Sequence, residues 1–427
     1  MSSAADSDLI RRDTALPGLA TLLDPHALAT LIASRDSQPL HSLDLLYLRY
    51  KPGTNCVAAY LAGNNAGTTL LYAKAHGGDA AVKLSKARRS PGRARAGPPE
   101  RVFAPSLGIV VFGFPDDLKL PVLSRLADPP SRRRLLVRVL GEDAVTSQEG
   151  LETLAYKPER RYVARFASER ADGGVVLKFY GRERHRSARR ARRALESRDG
   201  LLLAQKCGGS KRHGVLAHRW LPGRTLRETF DSGDAPDLGR VGAAIAELHA
   251  QRNADLPVRS VTARLSDLAV LAQTLGFIYP AVCDDAHHLA ERIASRLAAQ
   301  ETITTAIHGD LYDKQIVMCE GQVGLVDLDE ATRGDVRQDL GLFMAHLERD
   351  RLMGRPIEGI ETIGGSLLEG YQHVAGARID GIAPFVAEGL FRLAHHPFRR
   401  HGPGWPEHTK AILERVTELL ADCSRLR

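Results

Sequence analysis

Two segments of this 427-residue chain repeat one pattern. Tyr47-Leu-Arg-Tyr-Lys-Pro-Gly-Thr-Asn-Cys-Val-Ala-Ala-Tyr60 runs toward Leu70-Leu-Tyr-Ala-Lys-Ala75, and Leu154-Ala-Tyr-Lys-Pro-Glu-Arg-Arg-Tyr-Val-Ala-Arg-Phe166 runs toward Val175-Val-Leu-Lys-Phe-Tyr180. Each copy has Tyr-Lys-Pro, a polar tip, an apolar strand and then a lysine inside a second apolar strand, which reads as an internal duplication. Such a chain must build at least two small antiparallel sheets, and 43% hydrophobic content supplies material for two or three cores.

Reactive side chains gather further on. Gln315-Ile-Val-Met318 and Val323-Gly-Leu-Val-Asp-Leu328 read as short apolar strands joined by a turn at Gly321, so a hairpin brings Gln315 near Asp327. His308-Gly309-Asp310 lies just before it. Phosphoryl transfer needs one carboxylate to orient the acceptor hydroxyl and take its proton, and a second to hold magnesium against the phosphates. Asp310 and Asp327 fit those two tasks, and a Gln side-chain carbonyl is a hard oxygen ligand suited to the same ion. The competing reading, a surface turn with scattered acids, must explain three linked segments in order, each with strand context.

The segments His308-Gly-Asp-Leu-Tyr-Asp-Lys-Gln315, Gly324-Leu-Val-Asp-Leu-Asp-Glu330 and Gly334-Asp-Val-Arg-Gln-Asp-Leu-Gly341 resemble the aminoglycoside phosphotransferase and choline kinase superfamily, small-molecule relatives of protein kinases. The resemblance implies Asp310 as the base with His308 beside it in the catalytic loop, Asp327 as the metal ligand, Asp339 as a brace for that loop, and ATP with Mg2+ as cofactors. It also implies Gln315 as the second metal ligand. The family usually has Asn at this position, and Gln carries the same carbonyl one methylene further out, as in the maltokinase-like branch.

A kinase small lobe also needs a strand lysine paired with a helix glutamate. Lys178 is the better of the two candidates. It is followed by an arginine-rich amphipathic segment, Arg182 to Arg193, and then by Gly214-Val-Leu-Ala-His-Arg-Trp-Leu221, a strand leading to a hinge. Glu196, rather than the nearer Glu183, is its expected partner. His218 and Trp220 enter the nucleotide site by position, since backbone groups from Ala217 to Leu221 would meet a purine edge. The tip Pro158 to Arg161 lies where a phosphate-covering loop would be, without that loop's glycines. Lys74 is followed instead by a Pro/Gly/Arg-rich stretch, Arg88 to Glu100, so the first copy reads as structural or regulatory.

The expected fold is therefore α+β, protein-kinase-like and bilobal, with a small antiparallel-sheet lobe, a helical lobe and an extra duplicated small-lobe-like N-terminal domain. The expected division is 1–145, 146–222 and 223–427, with helices in the last part at Gly239–Ala250, Ala286–Ala299, Leu340–Arg351 and His408–Cys423. A formal charge of +8 and a pI near 9.3 favour anionic ligands such as nucleotides, while no zinc spacing, helix-turn-helix or aromatic-basic repeat points to nucleic acid. Five cysteines without a C-x-x-C pair fit a reducing cytosol, and no segment reads as a signal or a bilayer span. The expected partners are a nucleotide and a small molecule with a free hydroxyl, with no membrane. Seven acids between Glu348 and Glu388 offer an aminoglycoside-like polycation some contacts without indicating one. The expected activity is transfer of the γ-phosphoryl group of ATP to that hydroxyl; the alternative is a pseudokinase-like nucleotide-binding or scaffolding protein without turnover.

Overall fold

Alternation of two apolar sets shapes the first repeat. In the computed structural model, which describes residues 3–34, 40–65, 67–90, 101–145, 150–167, 173–251, 255–300 and 304–425, five strands form one antiparallel sheet. They are β1 (Ser42–Lys51), β2 (Asn55–Asn64), β3 (Gly67–His76), β4 (Val102–Ala104) and β5 (Ile109–Gly113), in the order β1-β2-β3-β5-β4. Ala58, Tyr60, Leu71 and Ala73 bury one face against α1 (Ala4–Arg12), α2 (Leu19–Leu23) and α3 (Pro25–Ala33). On the other face Val57, Tyr72, Val110 and Phe112 pack with Leu84 of α4 (Ala80–Arg89). This sheet is covered on both sides.

The second repeat follows α5 (Pro129–Leu140). It comprises β6 (Leu151–Lys157), β7 (Arg161–Phe166) and β8 (Val175–Tyr180), then α6 (Arg182–Ala194), β9 (Leu201–Leu203), β10 (Lys206–Ser210) and β11 (Val215–Arg219). The strand order is β10-β11-β8-β7-β6, with β9 placed elsewhere. Tyr162, Phe166, Leu177, Phe179 and Ala217 bury one face against Leu135, Leu136 and Val139 of α5. The apolar stripe of α5 needs an open sheet face, and the first sheet has none left. The core of the second sheet thus takes in α5; residues 146–149, where the domain boundary was expected, lie outside the described residues. The other face of the second sheet is set by register. Val163 and Leu216 flank Lys178, and His218 lies opposite Val176. Directly opposed residues share a face, so Lys178 and His218 look together toward the helical half.

The two hairpin tips are built alike. Asp13 Oδ2 accepts from Tyr50 Oη at 2.5 Å and Gly53 N at 3.0 Å, while Asp117 Oδ2 accepts from Tyr156 Oη and Glu159 N, each at 2.8 Å. Gly53 has φ +63° and Glu159 φ +62°. Glycine adopts this left-handed backbone freely; a glutamate there costs on the order of 1 kcal/mol.

The remaining chain is mainly helical: α7 (Leu226–Asp231), α8 (Leu238–His249), α9 (Val261–Ile278), α10 (Cys283–Ala298), α11 (Arg337–Leu352), α12 (Ile360–Ala375), α13 (Ala383–Leu393), α14 (His396–Arg400) and α15 (Trp405–Arg425). The four expected helices are present, with ends shifted by one to three residues. Two small sheets sit among them. One joins β12 (Arg224–Thr225), β14 (Ile316–Cys319) and β15 (Gln322–Leu325) to β9, which runs parallel to β15; the other pairs β13 (Thr304–Ile307) with β16 (Thr332–Asp335). Contrary to the sequence reading, α9 is an 18-residue helix long and apolar enough by composition to cross a bilayer. One side of it packs through Leu268, Ala272 and Leu275 against Leu289 and Ile293 of α10, and its Arg264 is ion-paired with Glu388.

Candidate active site

The β14–β15 hairpin turns at Gly321 (φ +71°), as the spacing required, and its two ends carry Gln315 and Asp327. The Gln315 Nε2 group lies 3.4 Å from Asp327 Oδ2, and Val326 N donates to the Gln315 carbonyl at 2.9 Å. Asp327 itself is left-handed, φ +63° and ψ +47°, a conformation that costs a non-glycine residue on the order of 1–3 kcal/mol and gathers at functional sites.

The loop before the hairpin is held from α11. Asp339, in the first turn of that helix, accepts from His308 N at 2.5 Å and Gly309 N at 2.8 Å, and its Oδ2 also meets His249 Nε2 at 3.1 Å. Burial pushes the Asp339 carboxyl up, but His249 and His308 hold it below the usual carboxylate range. Gly309 has φ +82°, and a Cβ there would lie 2.4 Å from the Glu330 carbonyl oxygen, so no other residue fits this turn. His308 donates from Nε2 to the Val326 carbonyl at 2.8 Å and accepts from Asp310 N through Nδ1 at 3.3 Å. Its side chain therefore ties the loop to the hairpin. The Asp310 carboxyl is pushed up by burial and by the nearby Asp327 charge, and is drawn down by His308, Lys157 and Arg392.

From the second sheet, Lys178 Nζ reaches Asp327 Oδ1 at 2.7 Å and Asp329 Oδ1 at 3.2 Å. Arg161 Nη1 meets Asp327 Oδ2 at 2.9 Å, and Tyr180 Oη donates to Asp329 Oδ2 at 2.7 Å. Burial opposes ionisation of Asp327, yet Lys178 and Arg161 hold its carboxyl far below the ordinary range. The two lobes thus meet at a pair of carboxylates, Asp327 and Asp329.

The structure brings Lys178, His308, Asp310, Gln315 and Asp327 together. Glu196 is not among them. It follows α6, where its backbone N–H and carbonyl bond the Gln251 amide at 2.9 and 2.8 Å, and the acids beside Lys178 are Asp327 and Asp329. His218 is buried on the Lys178 face with no hydrogen-bond partner for Nε2 among the described residues, and burial with the Lys178 charge pushes its pKa down to about 3, so it is neutral at physiological pH. Trp220 follows the end of β11, where its N–H bonds the Gly174 carbonyl at 3.0 Å, with the Arg165 guanidinium 4.2 Å over its ring. Sequence reasoning missed Tyr180 and Asp329. Each stands two residues beyond a recognised one, Lys178 and Asp327, and for Tyr180 the period of a strand was the available signal.

Several acids considered for a cationic acceptor are already neutralised. Glu348 meets Arg351 and Arg415, Asp350 meets Arg227 and Arg349, and Glu388 meets Arg264.

Residues 154–385, more than half of the chain, match the model of the phosphotransferase enzyme family. The chain belongs to that family. This phosphotransferase also matches solved structures in fold. A choline/ethanolamine kinase family protein from Mesorhizobium loti aligns at 18% identity over 68% of this chain and 97% of the other, with a TM-score of 0.50. A choline kinase from Streptococcus pneumoniae aligns at 14% identity over 68% and 96%, with a TM-score of 0.46, and a streptomycin–ATP complex of APH(2″)-IIa at 14% over 67% and 96%, also at 0.46. No curated protein sequence matches the chain. The first repeat lies outside the matched range, and the protein is a phosphotransferase carrying an additional small-lobe-like sheet.

Proposed function

We propose that this phosphotransferase moves the γ-phosphoryl group of ATP to a hydroxyl of a small molecule. The observation that carries the reading is the convergence on Asp327 of Lys178 from the sheet lobe and Gln315 from the catalytic hairpin, with Asp310 directly after the braced turn at His308–Gly309. Asp310 takes the proton of the acceptor hydroxyl, and Lys178 positions the nucleotide phosphates. His308 keeps the loop in register through the Val326 carbonyl. His218, neutral and with an unused Nε2, faces the region where a base would lie.

The donor set suits magnesium. Among the described residues no group of three His, Cys, Asp or Glu side chains is arranged to hold a metal, but magnesium keeps several waters and takes few protein ligands. Asp327, strongly ionised, and the Gln315 carbonyl, after rotation of its amide, would hold the ion. When bound it would neutralise charge on the phosphates.

A second reading draws on Arg161. Its guanidinium and Lys178 together occupy both Asp327 oxygens, which would suit a nucleotide-binding scaffold without turnover. Calorimetric titration of ATP with and without magnesium separates the two: transfer requires binding that strengthens with the metal, and metal-independent binding would favour the scaffold. A screen of alcohols, amino sugars and saccharides for ADP release then identifies the acceptor.

A further inference from the structure

A cavity of about 640 Å³ opens in the first repeat between β3, α4 and the Glu159 tip of the second repeat. Five cationic side chains line it, Lys74, Lys83, Lys86, Arg89 and Lys119, against two carboxylates, Asp79 and Glu159. The duplication explains its position. Val57 and Val110 flank Lys74 as Val163 and Leu216 flank Lys178. By the same register Tyr72 and Phe112 occupy the places of Val176 and His218, and they stack at 4.7 Å with an interplanar angle of 17°. The region matching a nucleobase site is therefore filled with aromatic rings. The region matching the phosphate end is open and cationic.

An acid from the neighbouring repeat already occupies that end. Glu159 receives Lys74 Nζ at 2.8 and 2.9 Å and Arg49 Nη2 at 3.0 Å, with Lys119 Nζ at 3.6 Å. Its side chain is 1% exposed, and it stands in left-handed backbone where the first tip has Gly53. A carboxylate in this setting marks where an anion is held. A phosphate group, with more charge and more acceptor oxygens, makes stronger charge-assisted contacts with the same lysines.

We propose that this cavity binds the diphosphate or larger phosphate group of a small molecule through Lys74, Lys83, Lys86 and Lys119, in competition with the Glu159 carboxylate for Lys74. Arg161 stands two residues beyond Glu159 and bonds Asp327 at 2.9 Å, so occupancy of the cavity is linked to the catalytic cleft through one hairpin tip. The binding itself requires no turnover, so it stands or falls separately from the role of Asp310.

The test is calorimetric titration of the full chain with inorganic pyrophosphate in magnesium-free buffer. Lys83→Glu/Lys86→Glu, on the exposed side of α4, is expected to weaken binding at least tenfold while leaving the circular dichroism spectrum intact. Glu159→Gln is expected to tighten it at least threefold, and Lys178→Ala to leave it within twofold. Affinity that survives the α4 charge reversal, fails to rise in Glu159→Gln, or collapses in Lys178→Ala would overturn the proposal. The α4 variant alone suffices if Lys178→Ala does not fold.

Discussion

The two small sheets grow from one sequence plan and use the same face differently. In the second, the face with Lys178 looks onto Asp327 and Asp329 of the helical lobe. In the first, Tyr72, Phe112 and Leu84 fill one end of the face with Lys74, and the acid that Lys74 meets is Glu159. A duplicated scaffold keeps its strand register because register is fixed by alternation and by the tip, whereas the chemistry of a face depends on what packs against it. The paired braces show this: Asp13 and Asp117 hold their tips in the same way, yet one tip residue is glycine and the other a buried, ion-paired glutamate.

The largest effect that could break this contrast comes from Asp310→Asn. If catalysis belongs to the second repeat and the helical lobe alone, turnover falls about 10³-fold while ATP affinity changes by less than twofold, since a general base contributes roughly 10²–10⁴. Residual activity near the wild-type rate would remove Asp310 from its role. The next comparison sets Lys178→Ala against Lys74→Ala. We expect kcat/KM to drop on the order of 100-fold in the first and less than tenfold in the second, as phosphate positioning is a transition-state contribution. Equal losses would mean that both faces serve the reaction.

Glu159→Gly sharpens the contrast at the level of stability. It relieves the left-handed backbone by about 1 kcal/mol but removes a buried partner of Lys74, and breaking a buried pair costs about 3–5 kcal/mol when a charge is left uncompensated. A net loss of about 2–4 kcal/mol in urea unfolding is expected; an unchanged midpoint would show that the pair contributes nothing net. The sign with pH follows from Lys74, Lys119 and Arg49, which hold Glu159 below the usual glutamate range although burial pushes it up. Its contribution is complete above the unfolded value and is lost as pH falls through the depressed folded one. The smallest effect concerns the acid limb of kcat/KM. Burial and Asp327 raise the Asp310 carboxyl, so the unprotonated base is lost as pH falls through a value above that of an ordinary aspartate. Lys157→Met removes a charge that lowers it, so the limb should move upward, and a downward move would contradict the assignment.

Much of this arrangement was legible from residue patterns. The hairpin ending in Asp327 was readable because Gly321 and two apolar strands leave few alternatives, and Lys178 because its strand alternates cleanly. The partner of Lys178 was not. A helix glutamate was sought at Glu196, whereas the sheet face delivers the lysine to Asp327 and Asp329, a choice made by the packing of two lobes. The Lys74–Glu159 pair was equally hidden, since its members are 85 positions apart and nothing local says which repeat leans on the other. The placement of α5 on the second sheet depended on knowing that the first had no face to spare.

The parallel pairing of β9 with β15 has a mechanical consequence. Between β8 and β12 the chain passes from the sheet lobe into the helical lobe, returns through β10 and β11, and leaves again, so three backbone crossings join the halves. A body joined at three points rocks through a small arc instead of swinging wide. Any tilt of the second sheet away from the helical lobe must therefore carry all three crossings with it and part the Lys178–Asp327 contact.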